Sequence, residues 1–262
     1  MIKQIDSITG SENQFGGTEV SYFLRHGEIL SRLSCISLRN SYLERERNEY
    51  MKKKGIIFDM DGTLWDSTAG VASSWNEVIA EKYTPDCVLT AEDLKRVMGK
   101  TMDALAAALF PELEEERRMR LLEECCQVEN EYLRIHGGIL YPGLEETLKK
   151  LKDKYFLYIV SNCQSGYIEA FLEHYRLEDC FEDIECYGNN GLKKGDNIRN
   201  IVERNGLTQA VYVGDIQGDY DASTEAGVQF IHAAYGFGTI DQEVPEIQGL
   251  RELPEVVEQI FS

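Results

Sequence analysis

The sequence has no apolar run approaching the about 20 residues that a helix needs to cross a bilayer, so a membrane partner is not expected. Positive charge is also scarce: Lys and Arg number 27 against 46 Asp and Glu, for a formal net charge of -19. A chain this acidic repels nucleic acid and anionic lipid surfaces, so neither is expected as its main partner. Any anionic small molecule would have to be captured by local cations. Cys-x-x-Cys pairs and Cys/His clusters with zinc-ligand spacing are missing as well. The 7 cysteines are an odd count in a sequence with no signal-peptide pattern, which leads us to expect reduced thiols and a cytoplasmic protein. Cys125-Cys126 fall on a helical pattern, where thiols are expected to pack rather than react.

What the chain does contain is concentrated in Phe58-Asp-Met-Asp-Gly-Thr-Leu-Trp-Asp-Ser67. The apolar run Gly55-Ile-Ile-Phe58 before it, bounded by Lys52-Lys53-Lys54, reads as a short buried strand. Asp59 and Asp61, one residue apart at the end of that strand, repel each other. A cation must neutralise the pair, or one acid must keep its proton. A hard divalent cation such as Mg²⁺ does this with oxygen ligands and brings phosphate oxygens with it. A calcium loop is excluded, because Leu64 stands where such a loop needs Gly and Gly70 where it needs Glu.

Further strand ends carry matching chemistry. Tyr155–Val160 reads as a strand ending in Ser161-Asn162, and Ala210–Val213 as a strand ending in Gly214-Asp215-Ile-Gln-Gly-Asp219-Tyr-Asp221. Between them, Lys193-Lys194-Gly195-Asp196 leads into a helical stretch from Asn197 to Arg204. In open parallel α/β sheets such strand ends converge on one crevice. Gln229–Ala233 reads as the last strand, Tyr235-Gly-Phe-Gly238 as a loop at the edge of that crevice, and Leu253 to Phe261 as a closing amphipathic helix.

With these four segments in this order, the chain resembles the haloacid dehalogenase-like hydrolase superfamily, in its phosphatase branch with a small helical cap, phosphoglycolate phosphatase-like. The resemblance covers about residues 52 to 240 and rests on Asp59-x-Asp61-Gly62-Thr63, Ser161-Asn162, Lys194 and Gly214-Asp215-x-x-x-Asp219. It implies an α/β fold: a Rossmann-like three-layer core with a parallel sheet, and a small α-helical cap inserted after the first strand. It also implies Mg²⁺-dependent hydrolysis of a small phosphorylated metabolite through an aspartyl-phosphate. In that scheme Asp59 is the nucleophile and Asp61 the general acid and base. The metal is held by the Asp59 carboxylate, the Asp61 carbonyl and Asp215. Asp219 supports the metal or the lysine, and Ser161, Asn162 and Lys194 bind phosphate oxygens. Lys194 is preferred over Lys193 because the family's lysine directly precedes Gly or Pro and then a helix.

The cap is expected over 67–138 and the core over 51–66 and 139–262. Val71, Trp75, Val78 and Ile79 recur at helical spacing, and Thr90-Ala-Glu-Asp93 precedes Leu94, Val97 and Met98 as a capping box. Two stripes follow: Met119, Leu122 and Cys126, then Leu121, Cys125, Val128, Tyr132 and Ile135. Lys100, between two cap helices, is either a contact for the leaving group or an exposed turn lysine. Residues 1–50 fall outside the pattern and are expected to be an extension, either flexible or an artefact of the gene model, dispensable for catalysis. Within it, Leu24-Arg-His-Gly-Glu28 matches a phosphohistidine signature by coincidence, and Tyr22–Leu38 is the part that would hold an interface. Three alternatives depart from this pattern. A phosphosugar mutase would carry His where Val71 stands, a dehalogenase would lack Asp61, and a non-catalytic binding protein would have lost part of the set.

Overall fold

The computed structural model describes residues 53–84 and 86–262. The expectations for residues 1–50 lie outside the described residues.

Strand β1, Lys54–Phe58, is an inner strand of the main sheet. Its apolar residues alternate between two faces, as the period of two along a strand requires. Ile56 and Phe58 enter one core, and Ile57 enters the other. The flanking strands β4 (Phe156–Ser161) and β6 (Gln209–Gly214) repeat the split, with Tyr158, Val160 and Tyr212 on the second face. Helices cover both faces, so the sheet is the middle of three layers.

Three further strands complete it: β5 (Asp183–Cys186), β7 (Gln229–Ala233) and β8 (Glu246–Ile247). The order is β5-β4-β1-β6-β7-β8 and every pairing is parallel. After β1 the chain adds β4 and β5 on one side and then β6, β7 and β8 on the other, so the switch point lies at the carboxyl end of β1. Gln229–Ala233 is therefore not the last strand, as the sequence suggested. The two-residue β8 adds beyond it and is too short to leave a periodic signal.

After β1 the chain forms β2 (Trp65–Asp66), which pairs antiparallel with β3 (Ile139–Leu140). Between these two-residue strands lie four helices: α1 (Thr68–Lys82), α2 (Ala91–Lys95), α3 (Met102–Leu109) and α4 (Glu115–His136). Thr90 and Asp93 form the expected capping box, but α2 stops at Lys95, before Val97 and Met98. The stripes on α4 also differ from expectation. Leu121, Leu122, Cys125, Cys126, Glu129 and Leu133 are buried, whereas Val128 and Ile135 are exposed. An acid thus occupies the centre of the inward face.

The chain returns through α5 (Leu144–Lys152), α6 (Tyr167–Tyr175), the short α7 (Tyr187–Asn190), α8 (Lys194–Arg204), α9 (Gln217–Ala226) and α10 (Leu253–Ile260). Trp65 sits where the chain leaves β1 for α1. It is fully buried and meets Tyr167, Phe171 and Tyr175 edge-on, with ring centroids 5.5, 4.9 and 6.2 Å away. Edge-to-face contacts of this kind fix geometry beyond simple burial. They hold the segment that carries Ser67. No described helix is long and apolar enough to cross a membrane.

Candidate active site

Asp59 is the first residue past β1, and its backbone N–H donates to Val213 O on β6 at 2.9 Å. The chain then folds back, with Thr63 and Leu64 N–H groups reaching Met60 O at 3.1 and 2.8 Å. The turn needs Gly62, which has φ +83°, and a Cβ there would collide with the Asp215 carboxylate.

Three acids, Asp59, Asp215 and Asp219, gather at this strand end with one ammonium. Lys194, the first residue of α8 and only 5% exposed, donates to Asp59 Oδ1 at 2.9 Å and Asp219 Oδ1 at 2.6 Å. Of the two adjacent lysines, it is Lys194 that makes this pairing. Burial would lower the Lys194 ammonium, but the charges of Asp219 and Asp59 outweigh it and hold its pKa above the ordinary value. Asp59 is pushed up to about 7, by burial first and then by Asp219, with Lys194 opposing. Burial also raises Asp215 well above the usual carboxylate range, helped by Asp219 and Asp59. Lys194→Met would leave buried acids without their cation. We expect it to lose about 3–5 kcal/mol of stability, measured by urea unfolding in EDTA at neutral pH.

Asp215 is bonded through one oxygen only. Phe237 N–H donates to its Oδ2 at 2.6 Å, but its buried Oδ1 has no hydrogen-bond partner. Asp219 Oδ2 is occupied, accepting from the N–H groups of Asp215 and Ile216 at 3.0 and 3.2 Å. Carboxylate oxygens of Asp59, Asp215 and Asp219 lie within 4.8 Å of one another. An all-oxygen set, an orphaned carboxylate oxygen and an excess of negative charge fit a hard divalent cation. The loop Tyr235–Gly238 supports this point: Phe237 supplies the donor, and a Cβ at Gly236 would strike Asp215.

Asp61 faces the other way. Its Oδ1 accepts from Ser67 Oγ at 2.6 Å and from Tyr167 OH at 2.7 Å, and the Tyr167 hydroxyl also lies 2.7 Å from Ser67 Oγ. Burial pushes Asp61 up to about 6 against these hydrogen bonds, Ser67 first and Tyr167 second. Neither Ser67 nor Tyr167 was assigned a role from the sequence. Tyr167 lies 106 positions from Asp61, and only the packing of α6 on Trp65 brings it there.

A cavity of about 30 Å³ opens above Asp61, with room for two or three water molecules. Ser161 and Asn162 line it from the end of β4, and Lys100 and Glu129 from the helical side. Ser161 is 5% exposed, and its Oγ accepts from Cys163 N–H at 3.3 Å. The Asn162 side-chain N–H donates to Gly99 O at 2.8 Å, so it ties the strand end to the Gly99-Lys100 turn. Lys100 is exposed at the rim of the cavity. Glu129 was not singled out in the sequence.

An open parallel sheet with paired acids at the end of its central strand, a lysine and a second acidic cluster describes one known class of enzyme. The family profile described as haloacid dehalogenase-like hydrolase matches residues 56–233. The chain belongs to that family. Among its relatives, the phosphoglycolate phosphatase of Aliivibrio fischeri is 26% identical over 199 residues, covering 70% of this chain and 85% of that protein. The phosphoglycolate phosphatase of Synechococcus elongatus is 29% identical over 196 residues, again covering 70% of this chain and 85% of the relative. A haloacid dehalogenase-like family hydrolase of Streptococcus pneumoniae shares the fold with a TM-score of 0.63 at 22% identity, over 78% of this chain and 98% of that one.

Proposed function

We propose that the protein is a Mg²⁺-dependent phosphatase of small phosphomonoesters that works through an aspartyl-phosphate on Asp59. The observation that carries this reading is the buried Asp59 carboxylate, held by Lys194 within reach of Asp215 and Asp219. Relatives named phosphoglycolate phosphatase support it.

In this reading an Asp59 oxygen attacks phosphorus as the bond to the leaving oxygen breaks. Asp61, pushed up to about 6, keeps enough of its proton near neutral pH to deliver it to that oxygen. Ser67 and Tyr167 fix the carboxyl while it does so. Asp61 then takes a proton from the water that attacks the acyl-phosphate, which releases phosphate and restores Asp59. Lys194, Ser161 and backbone N–H groups beside Asn162 bind the oxygens that do not transfer. The Asp59 and Asp215 carboxylates and the Asp61 carbonyl would hold Mg²⁺, with Asp219 anchoring Lys194 behind them. The bound ion would offset the charge between nucleophile and phosphate.

Residues 67–138 act as a cap in this scheme, over a core of 51–66 and 139–262. A cavity of about 30 Å³ lies between its helices and the strand ends. Lys100 meets the substrate at the rim. The cytoplasm, with its reduced thiols and phosphorylated metabolites, is the fitting location.

The test is phosphate release from p-nitrophenyl phosphate. Activity should vanish in EDTA, return with Mg²⁺, and fall with Ca²⁺, whose larger and looser coordination spoils in-line geometry. Full activity in exhaustively chelated protein would rule the reading out.

A further inference from the structure

The cavity meets, on its helical side, a carboxyl that the proposed reaction does not use. Glu129 on α4 is 3% exposed and lines the same space as Asp61 and Ser161. Trp75 Nε1 donates to its Oε2 at 2.5 Å, and Trp75 is itself buried on α1. Burial pushes the Glu129 carboxyl up to about 8, while hydrogen bonds from Gln164 and Trp75 pull the other way and the charge of Asp61 adds to the rise.

Holding α1 against α4 does not require an acid. A glutamine would accept from Trp75 equally well, without the cost of a buried ionisable group. What a carboxyl adds is a strong acceptor that becomes an ion pair when a cation arrives. The wall around it is apolar, formed by Val71, Leu94, Met98 and Leu105. The one cationic side chain on the cavity wall, Lys100, sits at the exposed rim. Above about pH 8, where Glu129 is ionised, a carboxylate carried by the leaving group would be driven between Glu129 and Asp61, two acids. A hydroxyl or ammonium in the same place would donate to Glu129.

Resting on the phosphatase reading above, we propose that Glu129 is a specificity-determining residue that selects phosphomonoesters whose leaving group carries a hydrogen-bond donor, hydroxyl or ammonium, a few carbons from the phosphate, and rejects those carrying a carboxylate. The names of the relatives point to a carboxylate-bearing substrate. The chemistry of this cavity points away from it.

The experiment compares kcat/KM of the full chain with Mg²⁺ at pH 9, where Glu129 is ionised, on ethanolamine phosphate, glycerol 1-phosphate and 2-phosphoglycolate, with p-nitrophenyl phosphate as a reference. At least one donor-bearing substrate should exceed 2-phosphoglycolate by tenfold or more. Preference for ethanolamine phosphate assigns an ammonium, and preference for glycerol 1-phosphate a hydroxyl. Glu129→Gln should cut that preference at least tenfold, mainly by raising KM for the donor-bearing substrate. A higher kcat/KM for 2-phosphoglycolate, or a preference that Glu129→Gln leaves unmoved, would overturn the assignment. Should that variant fail to fold, the ranking by the unaltered protein still decides. No hydrolysis of p-nitrophenyl phosphate would instead remove the phosphatase reading, and this inference with it.

Discussion

Asp59→Asn should abolish turnover, by a factor on the order of 10⁶, the scale on which hydrolases lose rate when a covalent nucleophile is removed. The amide is nearly isosteric but cannot form an acyl-phosphate. Its effect on stability should run the other way. Between the ordinary carboxyl value of 3.8 and about 7, the folded protein keeps the Asp59 proton that the unfolded chain releases. Folding stability is therefore lost as pH rises through that window. The amide removes this term, so in EDTA at pH 8 the variant should melt no lower than the unaltered protein. Wild-type-like rates from an Asp59→Asn preparation whose substitution is verified by mass would remove Asp59 from this role. An inactive variant that also melts much lower would mean that the carboxylate acts chiefly as the partner of Lys194.

Asp61→Asn should lose roughly a hundred- to ten-thousand-fold in kcat, the usual worth of general acid–base assistance. It should differ in kind from the first variant, because Asp59 can still attack. With a good leaving group such as p-nitrophenolate, which needs little protonation, the first step should survive better than the hydrolysis of the intermediate. Phosphoenzyme should then accumulate, seen as a burst of nitrophenol equal to the enzyme concentration. Ser67 and Tyr167 would still hold the amide oxygen through their hydroxyls, so the fold should be intact. An unchanged steady-state rate would refute the assignment of Asp61.

Much of this arrangement was legible in the sequence because its elements are local. Ile56 to Phe58 announce a strand by composition, and Asp59 and Asp61 follow within three residues. Lys194 and Asp215 likewise sit at junctions where a strand or loop meets a helix, which the hydrophobic pattern marks. Elements without a local signature were missed. Strand β5 reads Asp-Ile-Glu-Cys, and its two acids conceal it. They are tolerated because Arg204 reaches Asp183 Oδ2 at 2.7 Å and Glu185 Oε2 at 2.6 Å. Glu129 was hidden in the same way, an acid in the middle of an apolar helix face whose partner Trp75 lies 54 positions away. Tyr167 looks like one more aromatic residue on an amphipathic helix until tertiary packing sets its hydroxyl against Asp61. Sequence periodicity also assigned Val128 and Ile135 to the buried face of α4, where they are 39% and 67% exposed. That face is set by the contacts of α4 with α1 and α6, which the pattern along one helix does not contain.

The central claim is that Asp59 carries the phosphoryl group. The most direct measurement is to mix the Asp61→Asn protein with p-nitrophenyl phosphate and Mg²⁺, quench it in acid, and locate the added phosphoryl mass by peptide mass spectrometry. The account expects one phosphoryl group, on the peptide containing Asp59, labile to hydroxylamine and absent when Asp59→Asn is introduced as well. A label on any other residue, or catalytic turnover that persists in the doubly substituted protein, would contradict it.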